Sequence, residues 1–429
     1  MSIETSSAAP ATARLLQRFQ PHFDRIAAGA VERDHSRALP VQEIRELARA
    51  GFGAVRVPAE YGGAGASIPQ LFELLTELAA ADSNLAQALR GHFAFVEDRL
   101  AAAPGPHRDQ WLRRFAAGEL VGNSWTEIGA VQVGDVGTKV SPDGSGGFVL
   151  NGTKYYSTGS IFADWIDTLA ERTDTGRRVI AVVRADQPGV SVTDDWDGFG
   201  QRTTGTGTST FINAAVAEAE ITDYEARFSF QTAFYQTVLL SVLAGSVLGA
   251  QRNFAAALAA RTRVFSHGAA GTAAQDPQLL QVIGEVTASA FAAQAVVQRV
   301  AGALQRAHET AVGLHDGTVS AREDEEANDD AELASAQGQV ALTGLATSAI
   351  SHAFDALAAS ATSESQALDR HWRNARTAGN HNPWVYKARI VGDWAVNGRV
   401  PERDWNIGAA KGAGATVTPK ATVTPKVSS

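Results

Sequence analysis

The sequence predicts an α+β fold, mostly helical, in the order helices, small β domain, helical bundle. Two textures carry this reading. Apolar residues recur at helical spacing over roughly residues 11–119 and again over 224–394. Between 121 and about 221 the chain breaks into short β-prone runs split by Gly, Asn-Gly and Pro-Asp-Gly turns. The expected units are a helical domain over 1–120, a β domain over 121–223, a helical bundle over 224–400 and a tail over 401–429.

In the first zone Val41, Ile44, Leu47 and Ala48 share one helix face, and Gly51 supplies a C-terminal stop. Asp82 is placed to cap the segment leading to His92. In the second zone Phe148-Val149-Leu150 runs into Asn151-Gly152 and then Thr153 to Tyr156, which reads as a hairpin. Val179 to Val183 and Thr208 to Val216 read as strands. In the third zone the acidic run Glu323 to Glu332 reads as an exposed loop or helix end. Ala-Thr-Val-Thr-Pro-Lys, repeated at 415–420 and 421–426, reads as a flexible tail.

With 429 residues, 45% hydrophobic and 19% charged, the composition is globular and allows a sizeable core. A net charge of −9 argues against a nucleic-acid footprint. No apolar run approaches the roughly 20 residues of a membrane span. Met1 to Pro10 lacks the basic and apolar parts of a signal peptide, so the cytoplasm is the expected compartment. The absence of cysteine removes disulfides, thiolate nucleophiles and Cys-ligated metals. The histidines are scattered with no His-Glu-x-x-His spacing, so no metal site is expected. The string Gly205 to Thr210 ends in Thr and opens no helix, so no nicotinamide site is expected either.

Several motifs in order resemble one family. LARAGFGAVRVPAEYGG (Leu47–Gly63), Trp125-Thr126-Glu127, LNGTKYYSTGSIFADW (Leu150–Trp165) and the stretch Gly198 to Val216 resemble acyl-CoA dehydrogenases. That resemblance implies an N-terminal helical domain, a central β-barrel-like domain and a C-terminal four-helix bundle. RHWRNARTAGNHNPWVYKARIVGDW (Arg370–Trp394) is similar to the flavin monooxygenase branch of the same fold, the dibenzothiophene monooxygenase and sulfur-acquisition group. That likeness implies reduced FMN delivered by a separate NAD(P)H:flavin reductase, O2 addition at flavin C4a, an organosulfur substrate and a homotetramer. A nitrogen or aromatic-carbon acceptor on the same fold stays open.

A dehydrogenase needs a carboxylate to take an α-proton. No acidic residue lies between Arg370 and Gly392, and none lies between Gln231 and Ala260, the two places where the family sets its base. His381 stands in the first of them. Between Gly344 and Gly379 there is no glycine to admit an adenosine half, which favours FMN over FAD.

The expected catalytic residues are His381, as a proton donor near neutrality, His92, Asn123 and Ser160. By the resemblance Trp125, Thr126 and Thr158 face the cofactor, and Phe93 and Phe95 are pocket or core aromatics. Arg263, with Phe265 beside it, resembles the family arginine that reaches the flavin phosphate, often across a subunit interface; Arg261 is the competing assignment. Arg370, Arg373 and Arg376, at i, i+3 and i+6, form a basic face suited to phosphate.

Overall fold

The computed structural model describes residues 8–128 and 135–403, so the expected tail repeats lie outside the described residues. Five helices come first: α1 (Ala8–Ser36), α2 (Val41–Arg49), α3 (Ile68–Ala88), α4 (Arg90–Ala101) and α5 (Pro106–Ala116). Helix α2 buries Ile44, Leu47 and Ala48 and stops before Gly51 at φ +83°, whereas Val41 is half exposed. Helix α3 opens on a capping box in which Ser67 and Gln70 satisfy each other's backbone N–H. It breaks at Asp82 (φ −158°, ψ 110°), whose Oδ1 accepts the Asn84 N–H at 3.1 Å, so the helix restarts there with Asp82 as its cap. That restart turns the last two turns of α3 and the start of α4 toward the β domain.

The β domain is one eight-stranded sheet: β1 (Val121–Ser124), β2 (Lys139–Pro142), β3 (Phe148–Lys154), β4 (Trp165–Arg172), β5 (Arg178–Arg184), β6 (Val190–Thr193), β7 (Thr208–Val216) and β8 (Ile221–Asp223). The order is β6-β7-β3-β2-β4-β5-β8, with β1 parallel to β4. The hairpin expected at Asn151-Gly152 is not formed: β3 runs through both residues and takes a register shift against β7 there. The turn falls at Asp143 to Gly147 instead, where the Asp143 carboxylate accepts the N–H groups of Ser145 and Gly147. An Asx turn already closes the chain, so Asn-Gly is left to make a bulge.

The helical bundle follows with α6 (Gln231–Ala259), α7 (Pro277–Asp316), α8 (Ala321–Ala353), α9 (Asp369–Gly379) and α10 (Lys387–Asn397). Helices α6, α7 and α8 pack on one another, and α3 lies along α6. A Cβ at Gly245 would meet the Ala79 side chain at 2.4 Å, and one at Gly249 the Ala80 carbonyl at 2.6 Å, so these glycines allow that close approach. Contrary to expectation, α6 and α7 are long and apolar enough to cross a membrane by length and composition. Leu, Val, Ile and Ala lift their mean hydropathy, while interspersed Gly, Ser and Gln keep the apolar run broken. The apolar window of α6 is wholly buried inside the protein, as a core helix is; α7 leaves Leu280 and Phe291 exposed on the single chain. The acidic run occupies the first turns of α8, where negative charge suits the helix dipole. It is not all solvated: Glu332 is buried and paired with Lys387 at 3.1 Å, and Asp324 accepts from Thr310.

One apolar core joins the N-terminal helices to the bundle. A second, with Phe95, Trp111, Phe115, Val121 and Ile180, locks α4 and α5 to β1 and β5. Phe93 and Phe95 are both core residues. The cleft bounded by α4, β1 and α6 is therefore held from three sides.

Candidate active site

The β side of this cleft is neutral and rich in hydroxyls. At Gly122 on β1 a Cβ would lie 2.5 Å from Ser160, and at Gly159 (φ +78°) one would lie 1.9 Å from the Ala88 carbonyl. Both positions demand glycine, which seats the turn at 157–162 between β1 and the end of α3. The Ser160 hydroxyl donates to the Asn123 carbonyl at 3.0 Å. Ser124 Oγ is 2.9 Å from Ser157 Oγ and 3.0 Å from Ser209 Oγ. Thr158 and Thr206 share a hydroxyl contact of 2.9 Å, and Thr204 reaches Thr206 at 2.7 Å. The sequence reading missed Ser157, Thr204 and Thr206, because a Thr-Gly string looks like an ordinary loop; its density of hydroxyls was the available signal. Thr126 bridges to Tyr155 at the strand end.

Trp125 closes one edge. Its indole N–H donates to Asp167 at 2.9 Å, and its ring meets Tyr235 edge-on at 5.8 Å. Arg227 stacks on the same ring at 4.9 Å and pairs with Asp167 at 2.9 Å and Asp98 at 3.8 Å. Burial pushes the Asp167 carboxyl up, opposed by Arg227, while the arginines beside Asp98 hold its carboxyl down against its own desolvation. Both carboxylates next to the cleft are thus committed to arginine, and neither stands free as a base.

The helical side carries the unpaired groups. Arg90, the first residue of α4, is 7% exposed and lies 4.9 Å over the Tyr235 ring, with Nη2 3.3 Å from His381 Nε2. The expected site did not include Arg90 or Tyr235; a lone charged residue inside the otherwise uncharged stretch 85–96 was the clue. Arg90 Nε, Tyr235 OH, His381 Nδ1, Asn123 Oδ1 and Gln87 Oε1 are all buried with no hydrogen-bond partner. Gly91 brings two of these groups together, since a Cβ there would fall 2.6 Å from Asn123 Oδ1. Buried polar atoms are rarely left unmatched, so this cluster fits a site shaped for a polar ligand.

His381, just beyond α9, is not near neutrality as expected. Burial, and then the Arg90 guanidinium, push it down to about 3. A guanidinium only donates, so Nε2 accepts and the proton sits on Nδ1, which has no partner in good hydrogen-bond geometry although the Asn382 side chain beside the ring favours its protonated form. His381 is a neutral Nδ1–H donor.

His92 is drawn out of this group. Its Nε2–H donates to the Gly53 carbonyl at 2.9 Å, and its Nδ1 accepts the Val121 N–H at 3.2 Å. Burial pushes it down to about 4. With both nitrogens held by backbone, it ties the motif at 47–63 to β1 and has no nitrogen left for a reacting proton.

Arg370 is also drawn away: it is buried and donates to the carbonyls of Gln366 and Ala367 and to Asn253 Oδ1. Arg373 pairs with Asp34 at 2.6 Å and with Asp369 at 2.7 Å. The expected basic face of Arg370, Arg373 and Arg376 is therefore largely spent inside the protein. Arg263 and Phe265 lie on the exposed loop after α6, where Arg261 stacks on Phe265 at 5.2 Å and donates to the Leu357 carbonyl. From Tyr235 to the end of α6 the helix rises about 36 Å, so within one chain this loop cannot meet the Arg90–His381 cluster.

Three domain profiles of the acyl-CoA dehydrogenases match in order: the N-terminal domain over 21–119, the middle domain over 124–214 and the C-terminal domain over 241–384. The chain belongs to the acyl-CoA dehydrogenase fold family. Within that family it is 28% identical to the dibenzothiophene monooxygenase of Rhodococcus erythropolis, over 87% of this chain and 91% of the relative. It is 26% identical to the probable FMNH2-dependent monooxygenase SfnC of Pseudomonas putida, over 87% of this chain and 92% of the relative. Among solved structures it superposes on TdsC of Paenibacillus sp. A11-2 with FMN and indole, with a TM-score of 0.81 and 27% identity, covering 91% of this chain and 99% of that one.

Proposed function

We propose that this chain is an FMNH2-dependent monooxygenase that oxygenates an organosulfur compound of the thioether or thiophene type. The observation that carries this over dehydrogenation is the Arg90–His381 pair, a cation and a neutral imidazole where the family's base would be a carboxylate. The unpartnered Asn123 Oδ1 and the glycine-tightened β wall fit a flavin ring. Asn123, Trp125, Thr126, Thr158 and Ser160 would hold it from the β side, and Arg263 with Phe265 of a neighbouring copy would reach its phosphate. Bound reduced FMN supplies the two electrons that let O2 give one oxygen atom to sulfur and release the other as water. His381 holds a proton on Nδ1 toward the reacting oxygen, while Trp125 and Tyr235 exclude water from the cleft.

FMN rather than FAD is supported by the end of α8, where the glycine-free stretch carries a bulky Phe354 packed edge-on against Phe254 at 4.9 Å. A separate flavin reductase supplies the reduced cofactor. The exposed Leu280 and Phe291 on α7, together with the 36 Å helix, support a homotetramer. The domain limits at 120, 223 and 400 belong to this reading.

The test is turnover of dibenzothiophene and alkyl thioethers with FMN, a flavin reductase and NADH, alongside chromatography of heat-released flavin. Sulfoxide that appears only when the reductase is present supports the reading. Bleaching of the bound flavin by acyl-CoA under anaerobic conditions, without sulfoxide formation, would falsify it.

A further inference from the structure

Arg90 differs from every other buried arginine among the described residues. Arg33, Arg56, Arg99 and Arg227 each hold a carboxylate, and Arg370 holds three oxygens. Arg90 has no oxygen acceptor: its contacts are the Tyr235 ring and His381 Nε2, and its Nε is unmatched. A cation taken out of water without a counter-charge is costly, and an aromatic face recovers only part of that cost. Such a group is retained at low cost only if something that comes and goes completes it.

We infer that Arg90 is the receptor for an oxyanion on the substrate itself, so that the sulfur compound oxygenated here carries a carboxylate or sulfinate group. The inference rests on the monooxygenase reading for the identity of the ligand. The side of the cleft chooses substrate over flavin. Arg90 faces Tyr235 on α6 and the segment after α9, whereas the wall assigned to the flavin is the uncharged hydroxyl face of β1 and the turn at 157–162. The unmatched Nε–H leaves a charge-assisted donor free for an oxygen of an anion. The neighbouring Tyr235 hydroxyl, also unmatched, donates to the same group, since burial pushes its pKa up and keeps it protonated.

The experiment compares 3-(methylthio)propanoate with its uncharged amide, by calorimetric titration of the full chain and of R90M and R90K. Wild type should bind the carboxylate about ten- to a hundredfold more tightly than the amide. R90M should erase that preference while leaving amide binding intact, and R90K should keep part of it. Equal binding of the two probes by wild type, or a preference that survives R90M, overturns the inference. So does an R90M variant whose main defect is weaker anaerobic binding of reduced FMN relative to oxidised FMN, because the cation would then serve the flavin. Thermal unfolding of R90M checks the fold, and loss of a buried unpaired charge should leave it at least as stable. If the carboxylate preference holds and no sulfoxide forms with reduced FMN, the anion site stands and the monooxygenase reading fails.

Discussion

Arg90 Nη2 sits 3.3 Å from His381 Nε2, and this contact decides which imidazole nitrogen carries the proton. The pair joins the first turn of α4 to the end of α9, two segments nearly 300 residues apart. It places a neutral N–H, rather than an acid that titrates near pH 6.5, beside the cleft.

Replacing His381 by Ala should therefore uncouple the reaction rather than stop it. Sulfoxide formation should fall about a hundredfold, within the range for loss of a positioned proton donor, while NADH consumption through the reductase continues and hydrogen peroxide accumulates. Product and peroxide measured in parallel check this; equal losses of both would assign His381 to flavin binding.

The pH profile follows from the same contact. His381 is held down at about 3, so it is neutral throughout pH 5–9 and contributes no ionisation limb there. Arg90 is the second cause of that depression, after burial. R90M should therefore raise the His381 pKa and bring its titration toward the working range. NMR of 15N-labelled histidine should show the Nδ1–H tautomer in wild type and lose that preference in R90M.

His92 should govern acid stability. Its folded pKa of about 4 lies below the ordinary 6.5, so the unfolded chain binds the extra proton first as pH falls. Its contribution is complete above pH 6.5 and is lost as pH falls toward 4, amounting to roughly 3 kcal/mol if the full difference is expressed. Urea midpoints from pH 7.5 to 4 should decline in wild type and decline less in H92Q, with H92Q starting lower at pH 7.5 through loss of one backbone hydrogen bond.

Gly159→Ala should cost about 3 kcal/mol or more, because it combines a left-handed backbone with a clash against the Ala88 carbonyl. Flavin retention during gel filtration should drop with it, since the turn at 157–162 is the wall against which the ring is proposed to lie. Gly144→Ala, with open space and a similar φ of +80°, is the control for backbone strain alone.

Much of the fold could be read along the chain where a local rule met no rival. Asp82 restarts a helix as an Asx residue should, Gly51 ends one, and Thr208 to Val216 is a strand over its whole length. Asn151-Gly152 misled because a second turn eight residues earlier had already used the reversal, and only pairing with β7 reveals it. The candidate site was legible as a neighbourhood: Asn123, Ser160 and His381 are gathered around Arg90 and Gly91. It was illegible where function depends on what a side chain lacks. Nothing in Arg90-Gly91-His92 shows that the arginine goes unpaired while the histidine beside it is consumed by backbone. That distinction is made by Gly53, Val121 and Tyr235, which are remote in sequence.

The length of α6 carries a consequence for heredity as well as for chemistry. Since one helix holds Tyr235 and the Arg263 loop about 36 Å apart, a flavin touching both draws on two polypeptides. R263A and H381A should each form little sulfoxide alone yet complement when co-expressed. Random pairing leaves about one quarter of the sites with both native residues. The converse also follows: an inactive allele of either kind, expressed beside the wild-type gene, should lower activity only in proportion to its share of the chains, whereas a chain carrying both substitutions should leave about one quarter of the sites native at equal expression.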